Sequence, residues 1–169
     1  MRVPLRILFL LAFAATACSL PLRAQDFASL SAPTFERDVE KQTFKLINQY
    51  RDQEGLPPLK WNEDIAGIAR SHSRDMAKGD VDFGHGGFDG RVDQMKSVIA
   101  GFEGAGENVL YTSDMNELAE HAVQMWLHSP HHLKNIRGDY NFSGIGVWQS
   151  PSGAIYFTQL FLKTAEPAN

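Results

Sequence analysis

The chain has 169 residues, 43% of them hydrophobic and 21% charged, enough apolar material for one globular domain with its own core. Its formal net charge is −4, and removing residues 1–24 would take away Arg2, Arg6 and Arg23 and no acid, leaving −7. That acidic balance argues against nucleic acid or an anionic membrane as the main partner. Cys18 is the only cysteine, so no internal disulfide is possible.

Arg2 and Arg6 precede the apolar run ILFLLAFAATA (7–17) and the small-residue exit CSLPLRAQ. A basic start, a short apolar stretch and such an exit make a secretory signal peptide, and the run is too short to span a bilayer. Cleavage after Ala24 would leave Gln25 first; an Ala-Thr-Ala exit at 15–17 would instead leave Cys18 first. The second arrangement resembles a bacterial lipoprotein signal, but Ala15 stands where such signals carry leucine. The first is preferred, which makes the protein secreted, extracellular or periplasmic. A lipid anchor through Cys18 is the alternative and the one route to a membrane. An exported domain without disulfides must stand on its core, and a bacterial source is the natural reading. The expected division is a signal peptide at 1–24, a leader at 25–37, one domain at 38–163 and a tail at 164–169. No internal repeat or low-complexity tract interrupts it, and a monomer is expected.

From Phe35 a helical pattern begins, with Phe35, Val39, Thr43, Leu46, Ile47 and Tyr50 recurring at threes and fours until Gly55 and Pro57-Pro58. Asn62 can cap a second helix that opens with Glu63 and Asp64, carries Ile65, Ile68, Ala69, His72 and Met76 on one side, and stops at Gly79. A glycine-rich passage (81–91) leads to a modest helix ending near Val98. A second glycine-rich passage, IAGFEGAGENVLY (99–111), follows. Helix signals resume at Ser113 and Asp114, with Met115, Leu118, Ala119, Ala122, Val123 and Trp126 on one side. Then GIGVWQ (144–149) and AIYFTQLF (154–161), split by Ser-Pro-Ser-Gly, read as a β-hairpin. Helices before a terminal hairpin imply an α+β domain.

WLHSPHHLKNI (126–136) holds three of the six histidines. Their spacing invites a metal site, but Ser129 can cap and Pro130 suits a first helical position, so His128 closes one helix while His131 and His132 open the next. The three would not share a face. Outside this stretch, His85 lies in a loop too glycine-rich for packing to explain, and Glu107 lies in Gly-Glu-Asn between flexible backbone and apolar Val109 and Leu110. His72 reads as a packed histidine making one hydrogen bond, His128 and His131 as solvent-facing neighbours, and Asp89 with Arg91 as a turn and a salt bridge. Spacing leaves His85 evenly poised between ligand and loop decoration, leaves Glu107 open to being a loop acid that bonds backbone amides, and does not join His85 to His132.

The order of motifs resembles the CAP superfamily, named for cysteine-rich secretory proteins, antigen 5 and pathogenesis-related proteins, in its bacterial SCP-domain branch. The match runs through LINQYRDQEGLPPLKWNEDIAGIARSHSRDMA (46–77), FGHGGFDGR (83–91), GENVL (106–110), MWLHSPHHLKNI (125–136), GIGVW (144–148) and YFTQLF (156–161). It covers roughly residues 38–162. Each piece alone is weak, but their order is specific. The resemblance implies an α-β-α sandwich with a small, mostly antiparallel sheet between two helical layers. It also implies a cleft lined by two histidines and up to two acids, here His85, Glu107 and His132. The further glutamate of animal and plant members is Ser129 here, and the glycine usual before the second histidine is His131.

Two function classes follow. One is a binding domain whose cleft takes a lipid, peptide or cell-wall ligand and, through His85 and His132, a weakly held divalent cation such as zinc. The other is a metal-dependent, peptidase-like hydrolase with metal-bound water as nucleophile and Glu107 as general base. Missing the second acid, and lacking a nucleophile elbow or a His-Glu-x-x-His helix, the sequence leans towards binding.

Overall fold

The computed structural model describes residues 24–165, with side chains from Phe35 onward. The expected signal peptide, apart from Ala24, and residues 166–169 lie outside the described residues. The elements are α1 (Ala24–Gln53), β1 (Lys60–Trp61), α2 (Glu63–Lys78), α3 (Phe88–Val98), β2 (Phe102–Thr112), α4 (Leu118–Leu127), α5 (Pro130–Ile136), β3 (Phe142–Gln149) and β4 (Ile155–Thr164). The first helix thus starts well before Phe35, through the segment expected as a leader.

The sheet runs β1-β3-β4-β2, with β1 parallel to β3 and both other pairings antiparallel. Helices α2 and α3 cover one face; α1, α4 and α5 cover the other. This is the expected α-β-α sandwich. Side chains alternate across a strand, and the two faces carry separate cores. Trp126, Ile145, Phe157 and Phe161 fill the side under α1 and α4, while Ile65, Met95, Leu160 and Leu162 fill the side under α2 and α3. Each fully buried aliphatic chain there contributes about 2 kcal/mol.

Helix α2 is built as its sequence directs. Asn62 Oδ1 accepts from the Ile65 amide at 3.0 Å, and Gly79 ends the helix at φ 77°, a left-handed conformation that glycine adopts without strain. Its stripe lies on two glycines of β3, Gly144 and Gly146, where an added Cβ would collide with the backbone of Ala66 and of Arg70. The terminal hairpin also forms where expected, closed by Ser150–Gly153. In α5, Ser129 is the cap residue and Pro130 takes the first turn, although the Ser129 hydroxyl makes no capping bond.

Two expectations fail. Helix α4 starts at Leu118, not at Ser113–Asp114. Asp114 Oδ1 instead accepts from the Asn116 amide at 2.9 Å, an Asx turn that competes with helix initiation, and Met115 is 46% exposed. The second glycine-rich passage is not a loop. It is the edge strand β2, paired with β4 along most of its length. Tyr140 lies against Gly106 there, and a Cβ would sit 2.6 Å from the tyrosine hydroxyl unless that side chain moved.

Both sheet edges are covered by side chains. Along β2 the carbonyls of Ala105, Glu107 and Val109 accept from Tyr140 Oη (3.5 Å), Asn135 Nδ2 (2.9 Å) and Trp126 Nε1 (3.4 Å). Beyond the short β1, the amides of Val147 and Gln149 donate to Glu40 (3.1 Å) and Glu36 (2.9 Å) of α1.

The close approach of α2 generates a test. Gly146→Ala forces helix and sheet apart and should cost at least about 3 kcal/mol in urea unfolding. A variant within about 1 kcal/mol of wild type would show that this contact does not constrain the fold.

Candidate functional site

His85 stands on the loop between α2 and α3, whose path needs glycine: Gly84 has φ 138° and Gly87 φ 74°. The loop is tied from below. His72, on the buried face of α2, donates Nε2–H to the Gly84 carbonyl at 2.9 Å. A carbonyl only accepts, so this bond sets the His72 tautomer. Burial holds the His72 imidazole below its ordinary value. Arg91 of α3 donates to the Gly86 carbonyl at 2.8 Å, and the Phe88 amide closes the turn on the His85 carbonyl at 3.1 Å.

Glu107 projects from the middle of β2 towards the α2–α3 layer. Arg91 grips it with two bonds, Nε to Oε2 at 2.6 Å and Nη2 to Oε1 at 2.8 Å. The two side chains are 8% and 2% exposed. His85 completes the cluster, its Nδ1 2.8 Å from Glu107 Oε1, with a side chain 55% exposed. Since the carboxylate accepts, the ring donates Nδ1–H and keeps Nε2 as its available lone pair. Glu107 is therefore a strand acid bound by a guanidinium and an imidazole, not a loop acid on backbone amides. Arg91 is in α3 and pairs with Glu107; the expected Asp-Gly-Arg turn is absent.

His132 reaches the same strand from the opposite layer. Asn108 donates to the His132 carbonyl at 3.2 Å, and Asn135 bonds both the Glu107 carbonyl and Asn108 Oδ1 at 2.9 Å. The His132 ring is held below its ordinary 6.5 by burial first, then by positive charge on His85 and His131. His85 and His132 are thus within electrostatic reach of one another, on either side of β2. Among the described residues His132 Nδ1 is buried without a hydrogen-bond partner. His128, whose Nδ1 lies 2.7 Å from the Gln124 carbonyl, and His131 are exposed.

As a metal centre the cluster offers two imidazoles. Glu107 is a poor third donor, because its side chain is 2% exposed and its oxygens already accept three hydrogen bonds from Arg91 and His85. Among the described residues no group of three His, Cys, Asp or Glu side chains is placed to hold an ion. Two imidazoles are fewer protein ligands than the three or four that protein zinc sites use. A cavity of about 890 Å³ near Lys60, Tyr140 and Phe142 contains none of these residues.

Residues 44–161 match the model of the CAP, cysteine-rich secretory protein family, and the chain belongs to that family. It is 34% identical over 149 residues to the uncharacterized protein YkwD of Bacillus subtilis (strain 168), covering 87% of this chain and 56% of that one. Its fold is similar to an extracellular protein containing a SCP domain from Bacillus anthracis str. Ames, with TM-score 0.67, 28% identity, and coverage of 86% of this chain and 45% of that chain. It is also similar to a cysteine-rich secretory protein from Staphylococcus aureus (TM-score 0.61, 25% identity, covering 76% and 39%). This chain therefore spans about half, or less, of the length of these relatives. Among the described residues no helix is long and apolar enough to cross a membrane.

Two outcomes are expected. Arg91→Met strands a buried carboxylate and should cost about 3–5 kcal/mol in urea unfolding, part of it recovered when Glu107→Leu is added; equal losses for the single and double variants would contradict the pairing. The second concerns acid. His132 binds protons less readily when folded, so its contribution is fully present above about 6.5 and declines as pH falls through that value, where the unfolded chain takes up the proton first. His132→Asn should lose less stability than wild type between pH 7.5 and 5.5, measured side by side.

Proposed function

We propose that this chain is an exported binding domain rather than an enzyme. Its cleft at β2, flanked by His85 and His132, takes an extracellular lipid, peptide or cell-wall ligand and, through the two imidazoles, a weakly held divalent cation such as zinc. The observation that carries the reading is the burial of Glu107 in its pairing with Arg91 and His85. A general base must keep a lone pair within reach of the water it activates, and here the Glu107 side chain is 2% exposed and accepts from Arg91 at both oxygens and from His85 at Oε1. The acid instead acts on His85 as a carboxylate acts on a metal-binding imidazole, fixing the ring and leaving Nε2 open. Ser129, in place of a second acid, supplies no substitute base. Export is supported by the N-terminal sequence and by the extracellular description of the Bacillus anthracis relative.

Zinc alone is the probe. By isothermal titration the wild type should bind at micromolar to millimolar strength, and His85→Ala with His132→Ala should abolish uptake. Affinity should fall as the medium is acidified below about 6.5, where imidazole protonates. Equal uptake by wild type and double variant would end the metal part of the proposal. Cleavage of a peptide library that vanishes in Glu107→Gln would favour the hydrolase.

A further inference from the structure

Beside His85 lies a surface that the imidazoles do not use. Phe83 is 49% exposed and Tyr111 54% exposed, yet the two rings are in contact, edge to face, with centroids 5.0 Å apart. Tyr156 joins them, stacked on Tyr111 at 5.7 Å and edge-on to Phe83 at 6.4 Å. The register explains the stack: Tyr111 and Trp148 both stand opposite Tyr156 on β4, so an aromatic row crosses three strands on one face of the sheet. Phe83 is two residues before His85, and Tyr111 is four residues beyond Glu107 on the same face of β2. Val81 and Met115, on the adjoining loops, are 42% and 46% exposed. Exposed apolar side chains scattered singly are ordinary; rings packed together at half exposure mark an interaction surface.

The charges nearby narrow the partner. Segment 79–90, between Lys78 and the buried Arg91, contains Asp80, Asp82 and Asp89, and segment 108–120 contains Asp114, Glu117 and Glu120; neither contains a lysine or arginine, and Glu107 adds no exposed charge because Arg91 pairs with it. Asp82 directly precedes Phe83 and is exposed; Asp114 follows Tyr111 by three residues and is also exposed. Aromatic faces bordered by carboxylates repel polyanions and anionic lipid headgroups. They suit guanidinium or ammonium groups, which can lie over a ring and pair with an adjacent acid at once. We propose that Phe83, Tyr111 and Tyr156, with Asp82 and Asp114, form a docking surface for an extended polypeptide segment rich in arginine or lysine. Tyrosine suits the role because it supplies a large, stiff contact area with a polar tip. This surface is separate from the metal reading of the cleft and does not require it.

The test uses a capped, fluorescently labelled tetra-arginine peptide and the purified protein, read by anisotropy at low salt. Tetra-arginine should bind and a tetra-glutamine peptide should not. Phe83→Ser with Tyr111→Ser leaves the charge unchanged and should weaken binding about tenfold or more. Asp82→Asn with Asp114→Asn should weaken it and flatten its salt dependence. Equal binding by wild type and the serine variant would reduce the effect to diffuse attraction by an acidic protein and overturn the proposal. Amide shift mapping on the wild type keeps the test independent of any variant's folding. Shifts centred on residues 81–85 and 109–115 support the surface, and shifts centred elsewhere overturn it.

Discussion

A carboxylate and a guanidinium withdrawn from water must find one another and fill their remaining hydrogen bonds, or the fold bears the cost of bare charge. Glu107 and Arg91 meet that demand together, and much of the local architecture follows from how they do so. Arg91 spends two nitrogens on the acid and also reaches the carbonyls of Gly86 and, at 3.4 Å, His85. One side chain thereby binds α3 to β2 and shapes the loop between α2 and α3. Glu107 Oε1 also accepts from His85, so the exposed imidazole is aimed by a buried pair. His72 performs the matching task from α2, holding Gly84. The site's exposed part is small, and its supports are buried.

That division decides what could be read from the sequence. Helix α2 was legible because its cap, stripe and stop are local: Asn62, Ile65 to Met76, and Gly79 each act through neighbours a few residues away. The hairpin was legible for the same reason. Strand β2 was not, because its glycines suggest flexibility until Tyr140, more than thirty residues later, is seen lying on Gly106. The start of α4 was misplaced because Asp114 can cap a helix or close an Asx turn, and tertiary context chose the turn. Within the candidate site, His85, Glu107 and His132 are named together by motif order rather than by spacing. Arg91 was missed in its real role. Asp-Gly-Arg has the composition of a turn, and nothing local announces that its arginine reaches a strand sixteen residues on.

The same logic separates the two histidines. His85 is exposed and oriented by an acid; His132 is partly buried, unpaired at Nδ1 and disfavoured as a cation. Two rings of one residue type, on either side of one strand, therefore stand in different surroundings. One ring is oriented by a carboxylate, and the other is disfavoured in its charged form by burial.

The guarded borders of the sheet carry a last implication. An open four-stranded sheet is ordinarily a template on which a foreign chain can lay down another strand. Here side-chain donors already occupy the outward carbonyls from Ala105 to Val109, and glutamates occupy the outward amides at Val147 and Gln149. Main-chain recognition, the route by which one polypeptide reads another without regard to its composition, is closed along those stretches. Whatever meets this molecule there must read its side chains, which makes selectivity a by-product of protection against self-association.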